Sequence, residues 1–91
     1  TSMDTPISRA VIVAMRRAVE GEPVLMPTLG GTVPLHHLEA ALNVPVYGAP
    51  IVNYDNNQHA PDENLRLGNL WDGIVIYASL LRLPAPDDLA R

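Results

Sequence analysis

Apolar positions along this chain follow two rhythms. Ile7, Ala10, Val11, Ala14, Met15 and Ala18 recur with a period near 3.6 residues, so they form one face of a helix. Arg9, Arg16, Arg17 and Glu20 take the opposite face. Asp4 or Thr5 can cap this helix, Pro6 suits its first position, and Gly21 is its expected stop. Leu35, Leu38, Ala41 and Leu42 make a second helical stripe, with Pro34 in its first turn. Asn43 ends it, because asparagine tolerates the left-handed conformation of a helix stop. Leu67, Leu70, Ile74, Tyr77, Ala78 and Leu81 make a third and longer stripe. Trp71 and Val75 extend its apolar surface, so this helix is expected to be covered on more than one side. Pro84 and Pro86 close it, and residues 84–91 are expected to form a frayed tail.

The second rhythm is the short apolar run. Val24-Leu25-Met26 lies between Pro23 and Pro27, and its length favours a buried strand over a helix. Val44-Pro45-Val46-Tyr47 reads as another strand, with its proline at the start or on an edge. The expected order is helix, strand, helix, strand, helix. Such alternation predicts an α/β fold with parallel strands and right-handed crossovers. Two short strands make a poor sheet alone, so the expected architecture is part of a larger doubly wound sheet with helices on both faces.

Composition narrows the class. The chain has 91 residues, 47% of them hydrophobic and 18% charged, which is too apolar for a disordered chain. It has no cysteine, which excludes a disulfide scaffold, a thiolate zinc finger and a cysteine nucleophile. The net charge is −4, and all six bases are arginine. That balance argues against a nucleic-acid footprint, which needs clustered positive charge. No apolar run approaches the ~18–20 residues of a membrane span. No signal peptide is evident, and the expected compartment is the cytoplasm. The opening Thr1-Ser2-Met3 fits a processed product or an excerpt of a longer protein.

Two loops can carry chemistry. Gly30-Gly31-Thr32 falls between an expected strand and a helix, where backbone N–H groups and a helix dipole together favour an anion. The plain alternative is a turn whose glycines satisfy geometry and whose Thr32 caps the helix. Ile51 to Asn64 is a polar loop with four asparagines and His59. Loops after parallel strands are where α/β proteins place ligands, and neutral imidazole is the commonest metal ligand. Asp55, Asp62 or Glu63 can orient it. The plain alternative is a solvated histidine. His36-His37-Leu38-Glu39 matches no zinc signature and reads as a polar helix face, with His36 and Glu39 within pairing reach. No complete catalytic set stands in the chain.

Taken in order, Pro27-Thr28-Leu29-Gly30-Gly31-Thr32-Val33-Pro34, Val44-Pro45-Val46 and His59-Ala60-Pro61-Asp62-Glu63-Asn64-Leu65-Arg66-Leu67 resemble the carboxy-terminal end of the di-zinc metallopeptidases. That family includes carnosinase-like dipeptidases, aminoacylases, glutamate carboxypeptidases and desuccinylases. The resemblance runs from about Asp4 to Leu83. It implies an α/β catalytic domain interrupted by a lid, with two zinc ions sharing a carboxylate and a water; cobalt or manganese also suits such ligands. His59 matches the last zinc ligand, and Gly30, Gly31 and Thr32 match the loop at the substrate carboxylate. Asp62 stands where many relatives have asparagine, while Glu63 and Asn64 match the bracing residues of the same motif. Thr28-Leu29 replaces the Arg-Glu that often precedes the two glycines, which leaves specificity open.

On this resemblance, residues 1–91 are a fragment of a hydrolase for dipeptides or N-acyl amino acids, with the general base and the other zinc ligands upstream. The chain by itself is then expected to be inactive. Its expected partners are the rest of the catalytic domain, the lid and the small substrate, with no nucleic acid and no membrane. Exposed strand edges are expected to favour self-association. A free-standing α/β anion-binding module and a non-catalytic relative are the alternatives.

Overall fold

Thr5 starts the first helix as the sequence requires. Its backbone is extended and its hydroxyl accepts the Ser8 N–H at 3.0 Å, while Pro6 occupies the first helical position. In this computed structural model, which describes residues 1–85, three helices form: α1 (Pro6–Ala18), α2 (Leu35–Leu42) and α3 (Leu67–Leu81). α1 ends at Ala18, with Val19 as an extended C-cap, so Gly21 lies in the following turn at φ +98° and is not the stop itself. α2 begins one residue later than expected: Pro34 is its N-cap, with no side-chain capping bond. Its end matches the expectation, with Asn43 left-handed at φ 51°, ψ 44°. The expected frayed tail lies, from Pro86 onward, outside the described residues.

The α/β expectation is overturned. No strand forms among the described residues, and the architecture is three helices joined by long irregular segments. Val24-Leu25-Met26 and Val44-Pro45-Val46-Tyr47 join no ladder, so there is no doubly wound sheet here. The physical reason lies in pairing. A strand draws its hydrogen bonds from a neighbouring strand, and these two segments do not pair with each other. Pro23, Pro27, Pro45 and Pro50 remove backbone donors within and beside them. Val24 is left 87% exposed.

α1 and α3 pack against each other, and α2 packs on neither of them among the described residues. The apolar core is small: Ala14 of α1 and Ile76 of α3 are its buried hydrophobics. α3 divides its surface between two roles. One face, built from Asn69, Gly73 and Tyr77 at four-residue spacing, receives the segment before the polar loop. The other carries Leu67, Trp71, Ile74 and Val75, all exposed, so the expected cover on that side is not supplied by the described residues. The chain exposes 7258 Å², whereas a compact monomer of its mass exposes about 5,200 Å². Its radius of gyration of 14.5 Å likewise exceeds the ~12 Å of a compact domain of this length.

Candidate functional site: the His59 loop

The segment between Ala49 and Arg66 is irregular, yet side-chain bonds fix it closely. Its root lies on α3. Asn69 Nδ2 donates to the Ile51 carbonyl at 3.0 Å, and Tyr77 OH donates to the Ala49 carbonyl at 2.9 Å. Gly73 lies between these two, directly beneath the Ile51 side chain.

Asn53 then closes the loop. It is 4% exposed, and its amide spends both ends on the loop. Nδ2 donates to Asp55 Oδ1 at 2.9 Å and to Asn64 Oδ1 at 3.0 Å, while Oδ1 accepts the Arg66 N–H at 3.0 Å. The two ends of the loop are thereby joined, the geometry of an Ω-loop of roughly 6–16 residues. Asn56, also buried, receives the Gln58 N–H on its Oδ1 at 3.0 Å, an Asx-turn, and the Asn64 N–H on its carbonyl at 2.9 Å. Asn64 Nδ2 donates to the Asp62 carbonyl at 3.0 Å. Arg66 Nη2 pairs with Asp55 Oδ2 at 2.6 Å, and its guanidinium stands 5.9 Å from the Tyr54 ring centre. The Asp55 carboxyl is held below its usual 3.8, chiefly by the Asn53 amide; desolvation opposes this and Arg66 reinforces it.

At the tip the backbone is strained. Asn57, His59 and Asp62 have φ of 53°, 61° and 61°. Asparagine and aspartate visit this region at modest cost because their side chains bond locally; histidine is a less usual occupant. Such outliers persist only where the surroundings hold them, and here the Asn53 and Asn56 bonds do so. His59 is exposed, with its backbone fixed and its ring presented to solvent.

The sequence-expected residues therefore separate into two places. Asp62 and Asn64 share the His59 loop and bond each other, and exposed Glu63 lies between them. Gly30, Gly31 and Thr32 form an exposed bend ahead of α2. Neither glycine has a positive φ, and a Cβ at either would meet nothing within 4 Å. Thr32 does not cap α2, whose N-cap is Pro34. The His36 and His37 rings lie 3.8 Å apart between centres on α2, tilted by 41°, while Glu39 turns to Thr1 instead of His36.

As for metal, no group of three or more His, Cys, Asp or Glu side chains able to hold an ion occurs among the described residues. A single exposed imidazole on an anchored loop fits one ligand of a shared centre and does not fit a complete one. Asn53 and Asn69 carry the loop, and the sequence reading passed over both. The available signal was the four-residue spacing of Asn69, Gly73 and Tyr77, which puts two hydrogen-bonding groups and a gap on one side of a helix. No protein-family profile, curated protein or solved structure matches the chain. No helix among the described residues is long and apolar enough to cross a membrane.

Proposed function

We propose that this chain is the carboxy-terminal segment of a metal-dependent hydrolase that cleaves the amide bond of dipeptides or N-acyl amino acids, with His59 as one metal ligand. The observation that carries the reading is the His59 loop: an exposed imidazole on a left-handed backbone, held by a buried amide network that gains nothing obvious from exposing that ring. A metal ligand must be presented at a fixed point, and its supporting bonds matter nearly as much as the ligand itself.

The excess surface supports a larger assembly. A chain that exposes Leu67, Trp71 and Val24 this freely has apolar area for the rest of a catalytic domain to cover. Within that assembly His59 would supply one nitrogen, Asp62, Glu63 and Asn64 would support its loop, and Gly30, Gly31 and Thr32 would offer backbone N–H groups to a substrate carboxylate. A divalent metal held by His59 together with ligands from elsewhere, zinc or alternatively cobalt or manganese, would supply Lewis-acid chemistry toward a water and the scissile carbonyl. The remaining ligands and the general base belong to other parts of the protein.

The test is an assay of the full-length protein against a panel of dipeptides and N-acyl amino acids, with and without chelator, beside the His59→Ala variant. The reading expects chelator-sensitive hydrolysis and loss of bound zinc on substitution. Full metal content in His59→Ala would overturn it.

A further inference from the structure

We infer that the cleft between α1 and α3 binds a small amphipathic carboxylate, its apolar chain against the helices and its anionic head among arginines. The inference shares no residue with the His59 loop and stands apart from the reading of that histidine. α1 makes the cleft. Ala10 and Ala14, one turn apart, line it with side chains too small to fill the space between the two helices. Val13, 41% exposed, stands beside them, and Leu83, just past the end of α3, adds a further apolar wall. The open cleft so formed has a volume of about 630 Å³, within the ~300–1,000 Å³ of small-molecule sites.

Charge sets the class of ligand. Arg9, Arg17 and Arg82 line the same cleft, three of the six arginines of a chain whose net charge is −4. No carboxylate lines it among the described residues. Arg9 pairs with exposed Asp4, outside the cleft, while Arg17 and Arg82 make no ion pair among the described residues. A helix C-terminus favours a cation, which accounts for Arg17 in the last turn of α1 and for Arg82 as the C-cap of α3. It does not account for Arg9, which lies near the start of α1, where a cation opposes the dipole. Nor does it account for all three meeting over one apolar floor. The guanidinium fork matches a carboxylate, and Ser79 adds a hydroxyl to the same lining. A bare inorganic anion would leave the apolar floor uncovered, and a neutral apolar molecule would leave the arginines unanswered. A carboxylate on an alkyl chain meets both.

The experiment uses the full-length protein, with decanoate below its micelle concentration as the probe. Acetate and 1-decanol present the head and the chain separately. Calorimetry reads affinity, and amide NMR shifts read location. Decanoate is expected to bind and to shift the amides of residues 9–17 and 79–83. Acetate and 1-decanol are expected to bind at least ~10-fold more weakly, since each gives up either the buried chain or the charge-assisted bonds. Arg17→Gln and Arg82→Gln should each weaken decanoate about tenfold, the worth of one such bond, and leave 1-decanol unchanged. Ala10→Leu fills the floor and should block decanoate while both arginines remain. Arg16→Gln is the matched control: it removes the same charge one residue away, from an arginine paired with Glu22 outside the cleft, and should change nothing. Absence of decanoate binding, equal affinity for 1-decanol, or an equal loss in Arg16→Gln would overturn the inference. So would binding seen only when Asp87→Asn and Asp88→Asn are introduced together, because the arginines would then serve carboxylates of the same chain.

Discussion

Gly73 and Ile51 touch so closely that position 73 admits only hydrogen. A Cβ there would stand 2.6 Å from Ile51 Cδ1 and 3.0 Å from both Cβ and Cγ2. The contact lets the chain ahead of the His59 loop lie flat on α3, between the Asn69 and Tyr77 bonds. Gly73→Ala is expected to destabilise the protein. Overpacking costs about 1–3 kcal/mol, against a gain of about 0.5–1 kcal/mol for replacing a mid-helix glycine by alanine. A change of the Ile51 rotamer moves Cδ1 and Cγ2 but leaves Cβ at 3.0 Å, so it relieves the clash only in part. Urea unfolding measures the net loss. Pairing the substitution with Ile51→Ala should restore part of it, since the second change vacates the contested space.

The start of α1 offers a second test. Thr5 Oγ1 accepts the Ser8 N–H and lies 2.6 Å from Tyr47 OH, which in turn donates to the Ser2 carbonyl at 2.8 Å. One hydroxyl thus caps a helix and ties it to the segment before Gly48. Thr5→Ala is expected to cost about 1 kcal/mol, typical of a lost cap. Tyr47→Phe is expected to cost about 0.5–1.5 kcal/mol. The two losses should not add, because they share the Thr5–Tyr47 contact, and a double-mutant cycle in urea would report a coupling of about 0.5 kcal/mol or more. Strict additivity would show that the contact carries no energy.

How much of this was legible in the sequence depends on the range of the interaction. The helices were, because periodicity and caps are local: Thr5, Pro6 and Asn43 do what their types favour within a few residues. The strands were not. Val24-Leu25-Met26 has the apolar run of a buried strand, but a strand exists only through a partner, and no partner lies among the described residues. In the His59 loop, Asp62, Glu63 and Asn64 stood out as supporting residues, and Asn64 does bond Asn53 and Asp62, whereas Asn53 and Asn69 did not stand out. Among the four asparagines of that loop, Asn53 and Asn56 are buried and Asn57 and Asn64 exposed, a distinction that follows the way the loop folds on itself and is invisible to a residue type that suits turns and solvent equally.

The Asp55 carboxyl makes the loop acid-sensitive. Its folded pKa lies below the usual 3.8, first through the Asn53 amide and then, against desolvation, through Arg66. The charged form is therefore favoured by folding. The stabilisation it lends is fully present above the unfolded value and is lost as pH falls through the folded one. Hydrogen exchange at the Asn64 and Arg66 amides should remain slow at pH 5. Relative to its intrinsic rate it should rise below about pH 4, near the ordinary aspartate range. Asp55→Asn should remove that step, because the amide keeps an oxygen for Asn53 and loses the titrating group. Persistence of the step in that variant would assign it to another carboxylate.

His59 itself sits where glycine would be more comfortable. At φ 61° a side chain with a Cβ meets its own carbonyl, a strain of about 1–2 kcal/mol that glycine escapes. Glycine also has more freedom to lose on folding, so His59→Gly is expected to change stability by less than ~1 kcal/mol, or to raise it. His59→Val should lower stability clearly, because a β-branched side chain tolerates the left-handed region least. The same His59→Gly change should abolish metal retention in the full-length protein. A structural histidine would show the reverse: stability would fall with removal of the ring, and metal content would not move. Thermal unfolding and metal analysis on one pair of variants thus separate a strained residue kept for its imidazole from one kept for its packing.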